Sequence, residues 1–173
     1  MTKLKSELTR WIDNTYSPKY LLTIQLPDNL KSKNLEHSIT HLKNIMKDFE
    51  RFLLHRHWNK KHIPFIAFAE KGVSEEWHFH LLLNGGNFTY TELETAIHEI
   101  ILKQNLPAYC LQIDKIENGI AKVEYYTIKE IRIKDFTKFD SDRMILSHNL
   151  FNIDVKTQSQ LPHINENTFH SKS

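Results

Sequence analysis

The chain has 173 residues, 23 basic and 21 acidic side chains and a formal net charge of +2, a size that suits one domain with a buried core. The near balance of charge does not by itself call for a polyanionic partner, and the single cysteine, Cys110, excludes a disulfide framework and a cysteine-rich zinc module. The sequence has no long apolar run of the kind that spans a membrane and no signal peptide at residues 1–11, so we expect a soluble protein of a reducing compartment.

The first part of the chain predicts a helix, a strand and a long second helix. Apolar residues at helical spacing indicate a short amphipathic helix over residues 2–14, and residues 20–26 indicate a largely buried strand. Asn34 is the predicted N-cap of a helix that runs to about Trp58. The apolar side chains of this helix step by three and four, as one buried face requires: Leu35, Ile39, Leu42, Ile45, Phe49 and Phe52.

The segment after this helix is basic and rich in histidine. No acidic residue occurs between Glu50 and Glu70. His55-Arg56-His57 places two histidines two positions apart, but side chains at i and i+2 on a helix lie on different faces. We therefore expect no metal site at this motif, and it remains open whether it is a solvated edge or an edge that contacts phosphates.

The remaining elements predict the fold class. Thr91-Glu92-Leu93-Glu94 has the pattern of a capping box at the start of a helix that Pro107 ends. The order β-α-β-β-α-β-α predicts an α+β fold of ferredoxin-like type, with helices packed on a central antiparallel sheet. The other predicted segments are strands over 63–69, 77–84 and 108–116, a turn over 70–74, a helix over 120–131, one more strand within 141–156, one domain over 1–156 and a polar, mobile tail over 157–173.

The most informative stretch holds His78 and His80 on either side of Phe79. Side chains at i and i+2 of a strand point to the same face, so the two imidazoles project together while Phe79 packs on the opposite face. Neutral imidazole is the commonest metal ligand among side chains. Two parallel imidazoles on a strand therefore predict most of a metal site.

A carboxylate from the neighbouring strand completes this predicted site. In a hairpin of the second and third strands, Glu70 ends the first of them and can reach both histidines, whereas Glu75 and Glu76 are rival carboxylates in the turn. Two nitrogens and one carboxylate suit a divalent ion that keeps open positions. This favours Mn²⁺ or Mg²⁺ over a closed structural zinc site.

A pair of tyrosines forms the second candidate. On the predicted helix, Tyr126 is three positions and Tyr125 four positions before Lys129, so either tyrosine can share a face with the lysine. A phenol has an ordinary pKa of about 10 and attacks poorly at neutral pH. It becomes a useful nucleophile when a metal polarises phosphorus and a cation stabilises the developing charge.

Together these stretches resemble the HUH superfamily of metal-dependent single-strand endonucleases, and specifically its rolling-circle replication initiators, the Rep proteins. The resemblance covers roughly residues 18–135 and includes the order of the motifs. Tyr125 does not fit the catalytic motif, and Gln25 stands where a second threonine is common. The matching residues are Leu21-Leu22-Thr23-Ile24 for the first motif, His78-Phe79-His80-Leu81-Leu82-Leu83 for the histidine motif, and Val123, Tyr126, Lys129 and Glu130 for the catalytic motif.

The resemblance implies sequence-specific nicking and rejoining of single-stranded DNA at a replication origin, with a hairpin as one form that the target can take. Tyr126 would be the nucleophile and form a 5′-phosphotyrosine link, Lys129 would assist, and one Mn²⁺ or Mg²⁺ would be held by His78, His80 and Glu70. The sequence has no glycine-rich phosphate loop, so we expect a host or separate helicase as a partner, and no membrane. The expected location is cytoplasmic, or nuclear for a protein of a eukaryotic virus.

Two alternative functions remain open at this point. A single-tyrosine transposase of the same superfamily shares the motif order, although such enzymes usually carry glutamine near the position of Lys129. A non-catalytic DNA-binding module could keep the fold without the chemistry. A histidine-triad nucleotide hydrolase is excluded because Leu82 occupies the place of its third alternating histidine.

Overall fold

The computed structural model describes residues 3–72, 75–116 and 143–151. Two short 3₁₀ helices, His55–His57 and Ala108–Cys110, lie between the longer elements. The helices are α1 (Lys3–Tyr16), α2 (Leu35–Leu54), α3 (Tyr90–Lys103) and α4 (Ser147–Phe151), and the strands are β1 (Tyr20–Gln25), β2 (Phe65–Lys71), β3 (Trp77–Leu83), β4 (Leu111–Lys115) and β5 (Met144–Leu146).

The strands form one sheet in the order β4-β1-β3-β2-β5, and all neighbouring strands are antiparallel. The four strands β4-β1-β3-β2, with α2 and α3 as the two connections, have the order of a ferredoxin-like fold. β5 adds a short fifth strand beside β2. The predicted α+β class, with helices on a central antiparallel sheet and a hairpin of the second and third strands, is confirmed.

The two faces of the sheet follow from the alternation of side chains along β3. Trp77, Phe79, Leu81 and Leu83 point to one face and join the larger hydrophobic core. This face packs against α2 and α3, because their buried apolar side chains belong to the same core: Leu42, Ile45, Met46, Phe49 and Leu53 of α2, and Leu93, Ala96, Ile97 and Ile100 of α3.

The opposite face carries the histidines and a second, smaller core. Leu82 lies on this face and packs with Leu21 and Ile66 of the adjacent strands, under Ile12 and Tyr16 of α1. Helix α1 therefore covers the end of the face where β3 finishes. His78 and His80 precede Leu82 at the other end of the strand, beside this cluster rather than under it.

Local signals predict some element boundaries correctly and others two residues away. The side chain of Asn34 accepts a hydrogen bond from the backbone N–H of His37 at 3.1 Å, which confirms the predicted N-cap of α2. The capping box predicted at Thr91 is wrong. The cap is Thr89, which accepts from the N–H of Glu92 while the Glu92 carboxylate accepts from the N–H of Thr89. Both threonines are followed three residues later by glutamate, so the pattern alone could not choose between them.

Strand boundaries differ from the prediction for a similar reason. Residues 63 and 64 precede β2, and Glu70 and Lys71, predicted to begin the turn, are its last two residues. Both pair with β3, Glu70 with His78 and Lys71 with Trp77, so cross-strand pairing extends the strand beyond its apolar run. The predicted strand over 108–116 is shorter, because Ala108–Cys110 forms a 3₁₀ turn before β4. Of residues 141–156, three form β5 and the next five form α4.

Several expectations fall outside the described residues. These are the helix over 120–131, the domain boundary at residue 156 and the tail over 157–173. In the described segments, no helix combines the length and the apolar character that crossing a bilayer requires.

Candidate metal centre

The β2–β3 hairpin brings the predicted ligands together. Glu70 pairs directly with His78, and Phe68 pairs with His80 two residues further along. Directly paired side chains of an antiparallel ladder point to the same face. The carboxylate of Glu70 and both imidazoles therefore project from the face that also carries Leu82.

The three side chains converge on one point. Oε2 of Glu70 lies 3.2 Å from Nε2 of His78 and 3.1 Å from Nε2 of His80. The two imidazole rings are 5.3 Å apart between centroids and nearly perpendicular, at 84°. The side chains are 25% exposed for Glu70, 22% for His78 and 11% for His80. The cluster is thus open to solvent on one side and supported by the sheet on the other.

Thr23 in β1 supports the more buried histidine from behind. Its hydroxyl oxygen lies 3.2 Å from Nδ1 of His80, and the two residues pair across the β1–β3 ladder. A histidine that coordinates a metal through Nε2 carries its proton on Nδ1, and the threonine oxygen can accept that N–H. Thr23 therefore favours the tautomer of His80 that leaves Nε2 available.

The donor set fits a divalent cation. Glu70, His78 and His80 each offer one ligand atom, and these atoms all lie within 4.8 Å of one another. Three protein ligands leave coordination positions for water or substrate oxygen atoms, which is the arrangement of catalytic rather than structural sites. A mixed nitrogen and oxygen set is compatible with several divalent ions.

The other candidate ligands named from the sequence do not join this cluster. The Glu75 carboxylate contacts Lys33 at 3.2 Å and Lys71 at 3.8 Å instead. His55 and His57 are exposed on a 3₁₀ turn that follows α2. In the described part of the chain, the only cluster of three such side chains is that of Glu70, His78 and His80.

Tyr126 and Lys129, the predicted catalytic residues, lie outside the described residues, as does Tyr125. Thr23 is part of the first sequence motif, but the motif alone assigns it no role. Its contact with His80 depends on the register of two strands that are far apart in the chain. Gln25, which stands where the motif often has a second threonine, is exposed and pairs directly with His78.

The comparison with protein families adds an independent finding. The family model for the replication-associated protein of the ORF2 type matches residues 15–132, about two thirds of the chain. The chain belongs to this replication-associated protein family. The match covers all three sequence motifs of this replication-associated protein, including Tyr126 and Lys129, and it confirms the identification with Rep-type replication proteins. No curated protein and no solved structure matched the chain.

The Thr23 contact leads to a prediction about affinity for the ion. Thr23→Val keeps the shape of the side chain but removes the oxygen that accepts the His80 N–H. We expect Mn²⁺ affinity to fall about 10- to 100-fold, the usual effect of losing such a supporting hydrogen bond. Isothermal titration calorimetry of the wild type, Thr23→Val and Thr23→Ser measures this. Thr23→Ser restores a hydroxyl and should recover most of the affinity, and equal affinity in all three proteins would refute the role.

Proposed function

We propose that this protein nicks and rejoins single-stranded DNA at a specific sequence of a replication origin, and so initiates rolling-circle replication of a plasmid, virus or phage. The observation that carries the proposal is the convergence of Glu70, His78 and His80 in a member of a replication-associated family. A carboxylate and two imidazoles that leave coordination positions open suit the activation of a phosphodiester.

The roles of the described residues follow from their geometry. Glu70, His78 and His80 would hold one Mn²⁺ or Mg²⁺, which supplies a Lewis acid for the scissile phosphate when bound. Thr23 would hold the His80 ring and its Nδ1 proton in place. The sheet fixes these side chains before DNA arrives, so little reorganisation is needed during the reaction.

Tyr126 is the proposed nucleophile. Its phenol oxygen forms a bond to phosphorus while the bond from phosphorus to the 3′ oxygen breaks, and the phenol proton finally resides on the released 3′-hydroxyl. The 5′ side of the DNA stays attached as a phosphotyrosine. Because one phosphoester replaces another, a 3′-hydroxyl of a DNA end can reverse the step and rejoin strands. Lys129, one turn further along the predicted helix, would offset negative charge on the phosphate.

The proposal is tested by trapping the covalent link. The protein is mixed with a labelled pool of random single-stranded oligonucleotides and Mn²⁺, and a denaturing gel is examined for a protein–DNA band. We expect a band that disappears with EDTA and returns when Mn²⁺ is restored. A hairpin library containing candidate origin sequences serves as a second substrate. If neither substrate gives a metal-dependent band, the nicking function is wrong and a non-catalytic DNA-binding module replaces it.

A further inference from the structure

A second surface of the molecule is strongly basic and lies apart from the metal centre. We call residues 55–62, between α2 and β2, the basic connection. It contains Arg56, Lys60 and Lys61 together with three histidines and no acidic residue. The side chains of Arg56, Lys60 and Lys61 are all exposed. Among the described residues, none forms an ion pair with these three cations.

The basic connection is held in a compact shape. After the 3₁₀ turn, the backbone N–H groups of Lys60 and Lys61 both donate to the carbonyl of His57, at 2.9 Å each. The buried carboxylate of Glu50 accepts from the N–H of Ile63 and from Nδ1 of His62, both at 2.8 Å. Burial raises the pKa of the Glu50 carboxyl, and these hydrogen bonds oppose that rise. The connection is thus fastened to α2 at its far end, which limits the entropy lost when a ligand orders it.

The aromatic ring of the basic connection is not available for stacking. The guanidinium of Arg51 lies 4.4 Å from the centroid of the Trp58 ring, and Trp58 itself is only partly exposed. Arg51 is also paired with Asp48. Proteins that bind single strands usually stack bases on exposed aromatic faces. A surface with cations but with its ring already covered can recognise phosphates without reading bases.

We propose that the basic connection binds the phosphate backbone of double-stranded DNA, as a contact separate from the metal centre. A duplex displays its phosphates outwards and keeps its bases stacked inside, so it matches a surface of cations with no open ring. The proposal deepens the proposed function by naming a second substrate element, and it rests on that function for the choice of DNA. The duplex would flank the single strand that is nicked.

The position of the basic connection supports two separate contacts. It lies before the first residue of β2, whereas Glu70 is near the end of that strand. The five residue steps from Phe65 to Glu70 span about 16 Å at the rise of a β-strand. This length equals about five base pairs at about 3.4 Å of helix axis per pair, so one phosphate cannot meet both surfaces. A DNA molecule that occupies both surfaces must extend at least that far.

The test is a binding measurement that does not depend on cleavage. Fluorescence anisotropy is recorded in EDTA with a labelled duplex of about 20 base pairs and with a single strand of the same sequence, from low to moderate salt. In the triple variant Arg56→Gln/Lys60→Gln/Lys61→Gln we expect duplex affinity at low salt to fall at least about tenfold. The slope of log affinity against log salt should decrease by about 2 to 3, about one for each lost phosphate contact.

A control variant removes the same charge elsewhere. Arg10→Gln/Lys31→Gln/Lys33→Gln alters α1 and the segment before α2, and the 20 residues of α2 separate Lys33 from the basic connection. This variant should keep both the affinity and the slope of the wild type. Thermal unfolding of both variants checks that each is folded, and Arg56→Glu/Lys60→Glu/Lys61→Glu should weaken duplex binding further.

The outcomes separate this inference from the proposed function. Equal duplex binding by the triple variant and the wild type overturns the inference, even if the wild type nicks DNA. A loss confined to the single strand also overturns it, because the basic connection would then contact single-stranded DNA. A loss confined to the duplex supports the inference, including in a preparation that shows no nicking.

Discussion

Tyr126→Phe is expected to abolish the covalent protein–DNA complex. Phenylalanine keeps the ring and its packing but lacks the oxygen that would bond to phosphorus. Removal of a covalent nucleophile commonly lowers a rate by many orders of magnitude, so we expect a loss of at least about a thousandfold. The measurement is the initial rate of adduct formation on a denaturing gel, with Mn²⁺ and the single-strand substrate selected from the random pool.

The neighbouring tyrosine supplies the matched control for this experiment. Tyr125→Phe makes the same chemical change one residue earlier, where the spacing to Val123 and Lys129 does not match the catalytic motif. It should leave the rate within a few fold of that of the wild type. Loss of the adduct in Tyr125→Phe with retention in Tyr126→Phe would keep the class of enzyme but assign the nucleophile to the wrong residue.

His80→Ala is the second change with a large expected effect. The imidazole is the most buried of the three predicted ligands, and it is fixed from two sides by Glu70 and Thr23. Its removal leaves two ligands and an emptied site, so we expect the nicking rate at fixed Mn²⁺ to fall at least about a hundredfold. Single-turnover cleavage of a labelled oligonucleotide measures the rate.

An exposed histidine controls for the loss of an imidazole. His98 lies on the solvent side of α3, and His98→Ala should cleave at the wild-type rate. A thermal unfolding curve establishes that His80→Ala remains folded at the assay temperature. A rate for His80→Ala close to that of the wild type, in folded protein, would contradict the assignment of His80.

The parts of the fold and site that the sequence predicts depend on short-range patterns. His78 and His80 are predicted to lie together because residues two apart on a strand share a face, and Glu70 is predicted to lie near them because the second and third strands form a hairpin. The fully buried Phe79 fits this alternation. These inferences need only two neighbouring strands and one turn.

The parts that the sequence does not predict depend on longer-range pairing. Thr23 reaches His80 only because β1 and β3 pair in one particular register, and a shift by one residue would turn its side chain to the other face. The cap of α3 is misplaced in the prediction because two overlapping segments carry the same local signal. The rigidity of the basic connection depends on Glu50 and its contacts with His62 and Ile63, which no local pattern predicts.

The measurement that tests the central claim most directly is Mn²⁺ binding to the folded protein by isothermal titration calorimetry. The account predicts one Mn²⁺ per chain for the wild type and for His98→Ala. It predicts no detectable binding at the same concentrations for Glu70→Gln and His80→Ala. Absence of binding to the wild type, or unchanged binding to both ligand variants, would contradict the assignment of Glu70, His78 and His80 as a metal centre.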